Sequence, residues 1–136
     1  MSYEQARKDL QGHFANNFTE LPSTKIAWDN VEFTPPNNSE WIRVSMQNVN
    51  SEYVSIGESR NTRRFGLLFF QIFIPENSQT LKMTEIIDKI VEVFETKTLS
   101  GFTFDPPNVN EVGITENWFQ TNISVSFYYD EVISIS

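Results

Sequence analysis

The sequence predicts an α+β domain, a mainly antiparallel sheet with two helices packed on one of its faces. Three observations predict it. Two segments, about 2–18 and 80–97, carry apolar residues at helical spacing. The remaining apolar segments alternate or run unbroken in the manner of strands. The strands come in runs, with one helix before them and one between, rather than in the βαβ alternation of a doubly wound fold. At 136 residues with 39% hydrophobic composition, residues 1–136 are expected to form a single domain that buries its own core.

The first helix rests on Tyr3, Ala6, Leu10, Phe14 and Phe18, with Ser2 and Gln5 in capping-box register. Gly12 inside it costs ~1 kcal/mol relative to alanine, so the helix must lean its Leu10/Phe14/Phe18 stripe on something larger, a sheet. Residues 25–30 predict a short strand, and the prolines and Asn/Ser cluster of 34–39 a loop. From Trp41 the chain alternates, Ile42, Val44 and Met46 against Arg43, Ser45 and Gln47, as a half-buried strand that frays near Asn48 and continues briefly at Tyr53, Val54, Ile56 and Gly57. Residues 58–64 hold no apolar side chain and predict an exposed loop. Residues 65–74, dense in Phe, Leu and Ile and stopped by Pro75, predict a central strand apolar on both faces.

The second helix is predicted from Met83, Ile86, Ile87, Ile90, Val91 and Phe94, with Lys82, Glu85, Lys89 and Glu92 opposite them. It is expected to pack on the sheet through Ile86, Ile90 and Phe94. Residues 101–104 begin a strand that Pro106 and Pro107 break, and 109–115 predict another. Residues 118–129 are the clearest amphipathic strand, with Phe119, Thr121, Ile123, Val125, Phe127 and Tyr129 on one side.

Ten Lys and Arg against eighteen Asp and Glu give a net charge of −8, which disfavours broad attraction to nucleic acid or an anionic membrane. The absence of cysteine excludes disulfides, thiolate zinc sites and cysteine nucleophiles. The longest apolar run, 65–75, falls far short of the ~20 residues of a membrane helix, and the charged N-terminal segment is unlike a secretion signal, so the chain is expected in the cytoplasm. No P-loop, dinucleotide fingerprint, nucleophile elbow or EF-hand spacing is present. No catalytic residue, metal or cofactor is predicted.

The one histidine, His13, lies among polar neighbours and is expected at the surface, solvated or partly packed. Trp28, Trp41 and Trp118 are expected to anchor strand ends in the core, with a stacking platform for sugars or bases as the alternative. Asp105 and Glu111 are one possible carboxylate pair for hydrolysis among eighteen acids. More informative are Arg60, Arg63 and Arg64, three of ten basic residues in one stretch of an acidic chain. They predict an interaction site for carboxylate or phosphate, with Arg60, set apart from the pair, contributing least.

The order Trp41-Ile42-Arg43, Gly57, and Arg64-Phe65-Gly66 leading into 67–75 resembles the tail terminator proteins of long-tailed bacteriophages. So do Gly101-Phe102-Thr103-Phe104, Val112-Gly113, Trp118-Phe119-Gln120 and Phe127-Tyr128-Tyr129-Asp130-Glu131. The resemblance covers about residues 5–131. It implies an α+β protomer in a homohexameric ring that caps the tail tube, stops its elongation and forms the tail side of the head–tail joint. The implied partners are the major tail tube protein, a head–tail connector or completion protein, and DNA passing through the lumen, with no membrane. The implied location is the head-proximal end of the virion tail, with the host cytoplasm during assembly. On this reading the 58–64 loop reaches a ring neighbour, the tube or DNA, and reversing the charges of Arg63 and Arg64 leaves folding intact but breaks assembly. A small binding module for glycan or single-stranded nucleic acid, and a carboxylate hydrolase, are the two readings from other classes.

Overall fold

The computed structural model describes residues 1–136 apart from 30, 56, 58, 77–79, 135 and 136. Helix α1 spans Tyr3–Asn17 and is capped by the Ser2 hydroxyl, which accepts the Gln5 N–H at 3.1 Å. Only half of the capping box forms, because the Gln5 side chain turns forward, donating from Nε2 to Asp9 Oδ1 at 2.7 Å, rather than back to accept the Ser2 N–H. Ala6, Leu10 and Phe14 are buried, as is Phe18 just past the helix. Tyr3, the expected start of this stripe, is exposed, because the first turn lies beyond the edge of the core.

After a turn of 3₁₀ helix at Ser23–Lys25, strand β1 (Ile26–Trp28) lies parallel to β2 (Trp41–Ser55). Asn30, the expected end of the first strand, lies outside the described residues. Strand β3 (Ser59–Pro75) pairs antiparallel with β2 on one side and with β6 (Trp118–Ser134) on the other. Helix α2 (Thr80–Thr96) connects β3 to the short β4 (Phe102–Phe104). Strand β5 (Asn108–Thr115) follows the double proline, and both β4 and β5 pair with β6. The sheet order is β1-β2-β3-β6-β4, with β5 also on β6, and among the described residues only the β1–β2 pair is parallel. This is the predicted α+β arrangement.

One sheet face is buried under both helices. Leu68, Phe70, Ile72 and Ile74 of β3 and Ile123, Val125 and Phe127 of β6 join Leu10, Phe14, Met83, Ile86, Ile90 and Phe94 in one cluster. Phe14 stacks on Phe18 at 4.8 Å and tilts onto Phe70 at 4.9 Å, while Phe94 tilts onto Phe70 at 5.5 Å. Both helices therefore rest on the same strand residue. The alternate β3 residues Leu67, Phe69 and Phe73 are half-buried on the opposite face.

His13 corrects the expectation of a surface histidine. One turn after Leu10 and beside Phe14, it belongs to the apolar stripe and is only 6% exposed. Its ring stacks on Phe104 at 5.7 Å and meets the edge of Phe94 at 5.8 Å. Burial pushes the imidazole below its ordinary 6.5, partly offset by the Val93 backbone. As pH falls below about 6.5, the unfolded chain takes up the proton before the folded one. The stability His13 contributes is thus full above that pH and lost as pH falls through the lower folded value. Between about pH 7 and pH 5 the wild-type melting temperature is expected to drop more than that of His13→Phe, which keeps the ring packing without the titration. Parallel melting curves for the two would show that the imidazole charges as readily inside the fold as outside it.

A second correction concerns 58–64. Glu58 lies outside the described residues, but from Ser59 onward this segment is the start of β3, paired on both sides, and not a loop. Its neighbour β2 does not fray at Asn48 either. A bulge at Val49 interrupts the register between Asn48 and Asn50, pairing resumes through Tyr53, and a second irregularity at Val54 precedes the last rung at Ser55. Ile56 of the expected short continuation also lies outside the described residues.

Candidate functional site

Strands β2, β3 and β6 outrun the helices that cover them. Beyond Gly66, which sits between Asn48 and Phe127 in the register, they continue as a three-stranded arm over 48–55, 59–66 and 127–134. At ~3.3 Å per residue the arm projects roughly 25 Å. Residues 47–55 are exposed throughout. At its base Phe127 and Tyr129 are still buried in the core, but beyond them apolar packing is scarce, and polar and cation–π contacts across the strands hold the arm together.

The three arginines lie on its middle strand. Arg63 stands opposite Asp130 and donates from Nε to Oδ1 at 2.9 Å and from Nη2 to Oδ2 at 3.3 Å. Its guanidinium lies 4.3 Å over the Tyr128 ring. The hydrogen bond from Arg63 holds the Asp130 carboxyl below its usual 3.8, and Asn61 adds a longer contact at 3.4 Å. Arg64 points to the opposite face, as alternation requires. It donates to Glu131 Oε1 at 2.9 Å, to the Tyr3 hydroxyl at 3.2 Å and to Ser51 Oγ at 3.1 Å, and it lies 4.9 Å over the Tyr3 ring. The exposed Tyr3 at the start of α1 thus ties the helix to the arm. Arg60 lies 4.8 Å over the Tyr53 ring and makes no ion pair among the described residues.

The structure therefore keeps the arginines together on one strand but reverses their expected order. Arg63 and Arg64 are matched within the protomer, one on each sheet face, and Arg60 carries the unmatched charge. Sequence reading missed Tyr3, Tyr53, Tyr128, Asp130 and Glu131 as their partners. A signal was present, since the doublet Arg63-Arg64 meets the complementary doublet Asp130-Glu131, but it becomes visible only once β3 and β6 are in register.

The other candidates come apart. Asp105 donates its backbone N–H to the Ser126 carbonyl, while Glu111 pairs with Thr121. Their backbones therefore sit five residues apart along β6, roughly 17 Å, against the ~5–10 Å that a hydrolytic carboxylate pair needs. No group of three or more metal-ligating side chains occurs among the described residues. Trp41 is buried, stacked on Phe73 at 4.3 Å and meeting the edge of Trp118 at 6.1 Å. Trp28 packs against Phe14, on the helix-covered face, at 6.1 Å. The three tryptophans do not form one platform. Open grooves among the described residues include one of about 470 Å³ between the start of α1 and β2, and one of about 270 Å³ on the arm beside Tyr53, Thr62 and Ile133. No helix among the described residues is long and apolar enough to cross a membrane.

Comparison with known proteins agrees with this architecture. One solved structure is 15% identical, covers 95% of this chain and 96% of its own, and superposes with a TM-score of 0.69, which shows a shared fold. A search of curated proteins finds no match. A family model described as phage tail terminator protein matches residues 5–127. Matched over nearly its whole length, the chain belongs to the phage tail terminator family, structural proteins of the virion tail that act through contacts with other tail and head proteins.

Proposed function

We propose that the whole chain acts as one tail terminator domain, forming a homohexameric ring that caps the finished tail tube, stops its elongation and presents the tail side of the head–tail joint. Its partners are the major tail tube protein below and a head–tail connector or completion protein above, with DNA passing through the lumen and assembly taking place in the host cytoplasm. The family match over residues 5–127 carries this reading. The work is recognition and blockage of a growing end, which calls for stiff contact surfaces and no bond-making chemistry. A phage lacking this chain is expected to build tubes of uncontrolled length that do not join heads. Normal-length tails joined to heads in its absence would overturn the reading.

Within that role, Arg60, Arg63 and Arg64 serve as interaction residues, with Arg60 foremost because its guanidinium has no carboxylate of its own. Arg60→Glu is expected to lower the melting temperature only slightly, since a half-buried cation with no carboxylate partner among the described residues gives up little beyond its contact with the Tyr53 ring, and to fail in complementation. Arg64→Glu is a different experiment. It sets a carboxylate beside Glu131 and removes three charge-assisted hydrogen bonds, so the melting temperature itself is expected to fall by several degrees. Normal infectious particles from Arg60→Glu would reduce that residue to a solvated charge.

A further inference from the structure

We propose that the bare strand edges of the arm, β2 over 47–55 and β6 over 130–133, pair with each other between adjacent copies of this chain, so that the sheet runs on from one protomer into the next. This rests on the ring reading above and names the surface that closes the ring.

The argument begins with how the same two strands are treated lower down. In the core, β2 is covered by β1 at residues 42–44, and the Asp29 carboxylate then accepts the Met46 N–H at 2.8 Å, continuing the ladder with a side chain. Strand β6 is covered by β5 and then β4 as far as Tyr129, with the Asp105 N–H filling the gap at Ser126. Above these points no strand among the described residues covers either edge. An open edge is a template for another chain, and monomeric proteins blunt it with Lys, Pro, bulges or inward-turned charges. Residues 47–55 contain no Lys, Arg or Pro, and between the bulges at Val49 and Val54 residues 50–53 keep an unbroken register with β3. Instead the arm displays side chains that favour strands, with Val49 64% exposed, Tyr53 60% and Val132 68%.

The charge pattern and strand directions identify the occupant as a second copy. The arm's three arginines are balanced by three carboxylates, Glu52, Asp130 and Glu131, so it carries none of the chain's net charge of −8. Two such arms can approach without net charge repulsion. Both β2 and β6 run antiparallel to β3 and hence parallel to each other, on opposite sides of the arm. Joining β2 of one copy to β6 of the next keeps every arm pointing the same way, a head-to-tail contact that closes when the rotation per copy divides a full turn. The twist natural to a sheet supplies a rotation of constant hand.

The chain's lack of cysteine makes the test clean. Cysteine is placed in β2 as Val49→Cys, Glu52→Cys or Val54→Cys, each alone and each with Val132→Cys in β6, and the proteins are treated with a short thiol cross-linker. Wild type is followed by native mass spectrometry from micromolar to millimolar concentration, with and without tube ends. At least one double variant is expected to give a ladder ending at the closed ring. Mixing its two single variants should give covalent dimers and nothing larger, and each single variant alone should give none. Val132→Lys is expected to raise the concentration needed for assembly about tenfold at an unchanged melting temperature. Cross-linked dimers from a single variant would mean a two-fold contact and overturn the proposal. Oligomers without cross-links in any double variant would overturn the edge pairing and leave the ring standing. A chain that stays monomeric throughout would overturn both.

Discussion

Replacing Phe94 with alanine is expected to lower the melting temperature by about 10 °C or more, following a loss of ~3–5 kcal/mol from a total stability of ~5–15 kcal/mol. Phe94 is 5% exposed and stands where every layer meets. Its ring contacts Phe104 at 5.1 Å, Phe70 at 5.5 Å, His13 at 5.8 Å and Phe14 at 6.4 Å. Truncation removes the ring's own burial and leaves a void lined by four aromatic rings, which cannot all close in because they are held by three different elements, α1, β3 and β4. Leu81→Ala on the same helix is the control. Leu81 is 60% exposed and its truncation should hardly move the melt. Equal melts for Phe94→Ala and Leu81→Ala would show that α2 does not seat on the sheet as described.

Gly66→Ala is expected to be the second most damaging single change, at about 1–3 kcal/mol for forced overpacking. A Cβ at Gly66 would collide with the Phe127 ring and lie 2.9 Å from the Gln47 carbonyl oxygen. The carbonyl belongs to the neighbouring strand and cannot retreat without breaking the β2–β3 ladder. The Phe127 ring is 3% exposed and fenced by Phe102 at 6.1 Å and Tyr129 at 6.3 Å. Thermal melts of Gly66→Ala, Phe127→Leu and the double variant form a cycle. The double variant is expected to recover part of the loss, because leucine vacates the space the new methyl requires. Strict additivity would show that the collision lies with the Gln47 backbone alone.

The core of the fold was legible in the sequence because apolar side chains repeat with the period of the element that buries them. Met83, Ile86, Ile90 and Phe94 announce α2, and Thr121, Ile123, Val125 and Phe127 announce the buried side of β6. The arm was not legible in the same way. Its middle strand is held by ion pairs, ring contacts and a ladder on both sides, and the sequence Arg60-Asn61-Thr62-Arg63-Arg64 carries no hydrophobic period to reveal that. Reading a loop there followed from treating the lack of apolar residues as a lack of structure. His13 failed for another reason. Its chain neighbours Gln11 and Gly12 suggested solvent, but Leu10 one turn back and Phe14 beside it carry the apolar stripe of the helix, and His13 turns with them into the core.

The unbroken register between β3 and β6 has a consequence for the order of folding. Every rung from Pro75↔Trp118 to Ser59↔Ser134 encloses the same connecting chain of α2, β4 and β5, and each successive rung toward the tip encloses more. The entropy of closing that loop is spent largely on the first rung, where the loop is shortest. Later rungs add pairing at little further cost, so the ladder is expected to zip from the helix-covered end outward. The tip is then the last part to form and the first to fray, and the bare edges come into being only on a protomer whose core is already complete. An unfinished chain offers its neighbours nothing to extend, which guards a strongly sheet-forming sequence against premature association while it is still being made.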